Sequence, residues 1–237
     1  MRVRQGRIWK EIAFAALMTI IGLALSPSLD RAANNPAGQV TVPESALDSL
    51  IGEPNQHFDR AAKHYANGDT DAAASEIRAA AALIRIEAGR GSASDAAKLT
   101  TTSTDLDTLA GNVANGNVGS RRDLDLAFAR ADLALASHYR SMANQALADK
   151  DRAGAVRWLK AAGDCVDEAA AWTGRTPSGA EAQVSDQMHA LQAKIRTSAN
   201  WSYDEGKKGI GYLGAQIQYL GQQMQNFGAS GGKGRGN

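Results

Sequence analysis

The chain has 237 residues, with 26 basic and 25 acidic side chains and a formal net charge of +1. That length suits one helical domain or two small ones sharing a core, and the balanced charge leaves no electrostatic footprint for nucleic acid. A single cysteine, Cys165, excludes an intrachain disulfide and a multi-cysteine metal site; it reads as a small buried thiol, with an intersubunit disulfide as the alternative.

Met1 to Lys10 carry Arg2, Arg4, Arg7 and Lys10, and Ile12 to Leu25 form an uninterrupted apolar run closed by Ser26-Pro27. A basic start followed by a short apolar segment is the design of a secretory signal. The run is shorter than the roughly 20 residues of a comfortable membrane span. Residues 1–25 therefore read as a signal peptide, with an uncleaved inner-membrane anchor as the alternative. The small-x-small cleavage pattern fits best at Gly22-Leu23-Ala24, because Ala24-Leu25-Ser26 is followed by Pro27. Either reading places the body of the protein in the periplasm or otherwise outside the cytoplasm, with any membrane contact made by this segment alone.

Residues 26–56 contain Pro27, Pro36, Pro43 and Pro54 and read as an extended linker, in which Glu44 to Ile51 suit one short helix. Residues 57–227 then carry helical periodicity throughout, and 228–237 form a Gly-rich tail expected to lack order. Alanine is abundant and aromatics supply only 5% of the chain, so the helices must pack by close backbone approach.

The first pair is predicted at Asn55 to Asn67 and Asp69 to Ala88, turning at Gly68, with Asp69 as helix cap. Ala73, Ile77, Ala80 and Ile84 share one face of the second helix. After Gly89-Arg90-Gly91, Ser92-x-x-Asp95 opens a helix striped by Leu99, Leu106, Ala110 and Val113. The Thr100 to Thr104 run is β-prone in composition, yet the surrounding apolar period is helical.

Ser120-x-x-Asp123 opens the longest helix, with Leu124, Phe128, Ala131, Leu135, His138, Met142 and Ala146 along one side. His138 reads there as a core residue rather than a ligand or base. Beyond the turn Asp149-Lys150-Asp151, the next helix carries Val156, Leu159, Gly163, Val166 and Ala170 on one face and Trp158, Cys165 and Trp172 on another. Two apolar stripes predict a central or interfacial helix.

Ser178-x-x-Glu181 caps a helix with Val184, Met188, Leu191 and Ile195 inward. Moved back by 85 positions, this stripe falls on Leu99, Ser103, Leu106 and Ala110. The chain is thus read as a duplicated helical hairpin unit, repeat 1 at about 57–118 and repeat 2 at about 139–200, followed by a helix at 202–227. That last helix carries Ile210, Leu213, Ile217, Leu220, Met224 and Phe227, interrupted by Gly206, Gly209, Gly211, Gly214 and Gly221. Such glycines call for another helix packed closely against them. The predicted fold is an all-α antiparallel bundle of about seven long helices.

No phosphate-binding loop, HExxH, paired cysteines or haem-attachment motif occurs. Asp186-x-x-His189 is half of a di-iron ligand pair with no second half, and Asn67 to Asp71 lack the ligand spacing and closing Glu of a calcium loop. No catalytic residue, metal or cofactor is therefore assigned, and the protein is read as a non-enzyme. The one constellation left is aromatic: Trp158 and Trp172 flanking Cys165, Trp201 at a helix junction, and Tyr212 and Tyr219 seven positions apart. If their helices meet, these residues line an apolar cleft for a small ligand or partner helix; ordinary core packing is the alternative.

The hairpin Ala143 to Gly163, with its alanine-rich first helix, Asp-Lys-Asp turn and following Ala155, Leu159 and Ala162-Gly163, resembles the helix pairs of the YfdX family of exported bacterial proteins. It is also similar to a tetratricopeptide hairpin without that repeat's aromatic and proline pattern. The YfdX resemblance implies a periplasmic, mainly helical, oligomeric protein associated with stress and without established enzymatic activity. That family carries a short strand-bearing segment between its halves, where this chain has helix signals. Two functions follow as expectations: a chaperone-like interaction protein acting through protein partners or self-association, or a bundle binding a small apolar ligand.

Overall fold

A computed structural model describes residues 50–174, 179–197 and 201–231. The predicted signal segment, most of the predicted linker, the predicted Ser178 cap and the end of the tail lie outside the described residues. Those described form seven helices: α1 (Glu53–Ala66), α2 (Thr70–Ala88), α3 (Ala93–Ala114), α4 (Arg121–Ala148), α5 (Arg152–Trp172), α6 (Ala180–Thr197) and α7 (Tyr203–Gly231). The all-α bundle expected from the periodicity is thus the fold. Among the described residues, no helix is long and apolar enough to cross a membrane.

The two hairpin turns share one hydrogen-bond design. Asp69 N–H donates to the His64 carbonyl and Asp151 N–H to that of Ala146, closing each helix end in the same way. The residue before each aspartate is left-handed, Gly68 at φ 77° and Lys150 at φ 61°. Asp69 then accepts from Ala72 N–H and Asp151 from Gly154 N–H, capping α2 and α5.

Local chemistry explains several helix limits. α1 begins at Glu53, ahead of the predicted Asn55, because Pro54 in the first turn has no N–H to lose there. Ser92 accepts from Asp95 N–H, as expected of a cap. The Ser120 hydroxyl instead donates to the Asp123 carboxylate at 3.0 Å and makes no cap bond to the backbone. Ser202 and Glu205 form the full reciprocal box, with Ser202 N–H donating to the Glu205 carboxylate and Glu205 N–H to the Ser202 hydroxyl. The threonine run is helical, with the Thr101, Thr102, Thr104 and Thr108 hydroxyls each accommodated by donating to the carbonyl four residues earlier. α7 continues to Gly231, into the stretch expected to lack order.

The core is alanine-rich: Ala61, Ala73, Ala80, Ala110, Ala131 and Ala143 are fully buried around Phe58, Ile77, Ile84, Leu99, Leu124, Phe128 and Leu135. Small side chains let helix axes approach closely. α4 packs most extensively on α5, α2 on α3, and α1 on α2. α6 makes little contact with α5 and is held mainly by α7, which also packs on α4 and α5.

Candidate functional site

The structure distributes the predicted aromatic set through the core. Trp158 is 3% exposed and stacks on Tyr139 with ring centroids 5.7 Å apart. The guanidinium groups of Arg90 and Arg157 lie 4.9 and 4.7 Å from its centroid. Trp172, half-buried, meets Phe128 edge-on at 5.3 Å, and Phe128 stacks on Phe58 at 4.5 Å. Trp201 is 4% exposed and contacts Tyr203 and Arg152. Each tryptophan's ring contact therefore runs to an aromatic outside the predicted set. Tyr212 and Tyr219 are half-buried on α7, and Cys165 is buried, with its thiol pKa pushed well up by that burial and then by Asp132. These side chains serve first as packing.

The glycines of α7 divide into two groups. A methyl group on Gly206 would meet the Trp201 ring at 2.8 Å and Leu147 at 3.1 Å, and one on Gly209 would meet Leu191 at 3.0 Å and Leu159 at 3.5 Å. Gly214 faces Arg140. Those three positions accept α4, α5 and α6, which is the close packing that such glycines require. Gly211 and Gly221 have nothing within 4 Å.

Between α5 and α6 lies an open groove of about 210 Å³, lined by Val156, Leu159, Lys160, Asp164, His189, Gln192, Ala193 and Ile195. Its floor is apolar and its rim is polar. Lys160 pairs with Asp164 along α5, and the Gln192 amide crosses from α6 to donate to the Leu159 carbonyl at 3.2 Å. The same amide stands where a side chain on Gly163 would be. His189 Nε2 faces both carboxylate oxygens of Asp167 at 3.0 Å, and not Asp186. Burial pushes the Asp167 carboxyl up, against the pull of His189. This pair can exchange a proton, but among the described residues the hydrogen bonds of His189 run to Asp167 alone. Nor, among those residues, do three His, Cys, Asp or Glu side chains gather in a metal-holding arrangement.

A second polar group is sealed inside. Glu87 on α2 is 2% exposed and accepts from Arg90 at 2.9 Å. Its other oxygen lies 3.4 Å from His138 Nε2, and the His138 ring is 1% exposed. Gly91 makes room for that ring, since a methyl group there would stand 2.9 Å from His138 Nδ1. Periodicity placed His138 inward but missed Glu87 and Asp132, which are also buried. A signal for Glu87 exists: three residues beyond Ile84, it continues the Ala73, Ile77, Ala80, Ile84 stripe.

Comparison of the chain with known protein families, with curated proteins and with solved structures finds no match.

Proposed function

We propose that this is an exported, non-enzymatic helical protein that works through protein interaction, in a chaperone-like or stress role in the periplasm. Its partner segment enters the groove between α5 and α6. The observation that carries this reading is the groove itself, at about 210 Å³ with an apolar floor of Val156, Leu159 and Ile195 and a rim of Lys160, Asp164, His189 and Gln192. Small-molecule sites usually enclose about 300–1,000 Å³. An apolar floor inside a polar rim suits a short stretch of another protein instead. The burial of Trp158 and Trp201 in the core supports this reading over a ligand cleft built on them. The basic start and apolar run of residues 1–25 support export, and the resemblance of Ala143 to Gly163 to YfdX hairpins points to the same class of protein.

The test is site-specific photocrosslinking in intact cells. A photoreactive residue at Lys160 or Ala193 is expected to capture a discrete protein, identified by mass spectrometry. Binding of that purified protein should weaken when Val156→Asp alters the part-buried side of the groove floor. Equal capture from exposed Thr101 on α3, or no protein adduct at either groove position, would overturn the proposal.

A further inference from the structure

Asp132 occupies the inward side of α4, one helical turn beyond Phe128, and is 0% exposed. Neither of its carboxylate oxygens has a hydrogen-bond partner. Three helices meet at this place: Phe58 of α1 stacks on Phe128 of α4, which takes the edge of Trp172 at the end of α5. The titratable groups facing Asp132 are Glu168 and Cys165 from α5 and Asp59 from α1. Two of the three are carboxylates, and no cation stands among them. The buried indole N–H of Trp172 acts on the carboxyl in the opposite sense, but lies outside hydrogen-bond geometry.

An ionised carboxylate sealed in this way would lose its hydration and have only the misaligned indole N–H of Trp172 in exchange, far less than a buried charge requires. The neutral acid fits. We propose that Asp132 is a proton-operated latch, which closes the joint of α1, α4 and α5 while it holds its proton and loosens that joint when the proton leaves.

Burial, then the charge of Glu168, and further that of Asp59 push the Asp132 carboxyl well above the usual carboxylate range. Burial and neighbouring acids also push Glu168 upward. In the unfolded chain Asp132 ionises at about pH 4. Between that pH and its own native ionisation, the folded state holds a proton that the unfolded state has released. Stability contributed by this group is therefore complete at low pH and is lost as pH rises, becoming constant once native Asp132 ionises. Glu76 and Glu205 are shifted downward and contribute in the opposite direction, so the latch is read as a difference between two proteins.

The experiment compares the full chain with Asp132→Asn, a neutral side chain of the same shape, by urea unfolding from about pH 4 to about pH 9. The folding constant of the native sequence should fall against that of the variant by up to about tenfold per pH unit, then level off. At about pH 8, Cys165 should react with a thiol reagent faster in the native chain than in Asp132→Asn. Parallel pH profiles for the two proteins would overturn the proposal. Should the variant fail to fold, carbon-13 NMR of the native chain decides: the Asp132 carboxyl should titrate well above the exposed aspartates, and titration alongside them would end the idea.

Discussion

The two repeats begin alike and finish differently. In the first, α3 packs along α2, with Leu99, Ser103, Leu106 and Ala110 all buried. In the second, α6 barely touches α5, and of the corresponding Val184, Met188, Leu191 and Ile195 only Met188 and Ile195 are buried. The place of a third helix is shared with α7: Leu159 of α5 and Leu191 of α6 both reach its Gly209. A matching stripe thus gives a matching helix without giving it the same neighbour. Neighbours depend on which helix can approach, and that is set by small residues elsewhere in the chain.

The largest effect should come from the sealed ion pair of the first repeat. Glu87→Ala removes the buried carboxylate that accepts from Arg90 and faces His138, and should cost about 3–5 kcal/mol in urea unfolding. Asp107→Ala, which breaks the exposed pair with Arg85, should cost no more than about 1 kcal/mol. Similar losses would show that burial does not separate the two pairs.

Equivalent leucines test the repeat comparison directly. Leu106→Ala should cost about 2–5 kcal/mol, because the residue is 2% exposed in a packed interface. Leu191→Ala, at the half-buried counterpart, should cost clearly less. Equal costs would mean that α6 is anchored as firmly as α3.

The α7 glycines give a smaller pair of effects with opposite signs. Gly206→Ala forces a methyl group against Trp201 and Leu147 and should destabilise by about 1–3 kcal/mol before the gain in helix propensity is subtracted. Gly211→Ala meets nothing and should stabilise by up to about 1 kcal/mol. Thermal unfolding distinguishes these outcomes. Smallest of all, Lys150→Gly should add less than about 1 kcal/mol by relieving a left-handed lysine, a strain that Gly68 avoids in the first repeat.

Much of the fold could be read from residue spacing. The helices, the Asp69 and Ser92 caps and the helical threonine run follow from local periodicity and capping chemistry. Pro54 reads as linker and so conceals the early start of α1, although a first turn accepts proline. The α5–α6 groove was not legible, because a stripe shows which face is apolar and not which helix covers it. The aromatic residues were located correctly by helix, yet side-chain direction sent Trp158 toward Tyr139 and Trp172 toward Phe128. Buried acids escaped notice because carboxylates usually point outward, and only position on a stripe marks Glu87 as an exception.

The glycine seam on α7 also orders events in time. Synthesis runs from the N-terminus, so α2 and α3 are both available to pair well before α7 emerges. Leu159 and Leu191 must wait for Gly209, and until it arrives the second repeat exposes apolar surface that the finished protein covers. The molecule therefore has a vectorial weak point: a chain stalled before α7 has a first half able to close and a second half still open to aggregation.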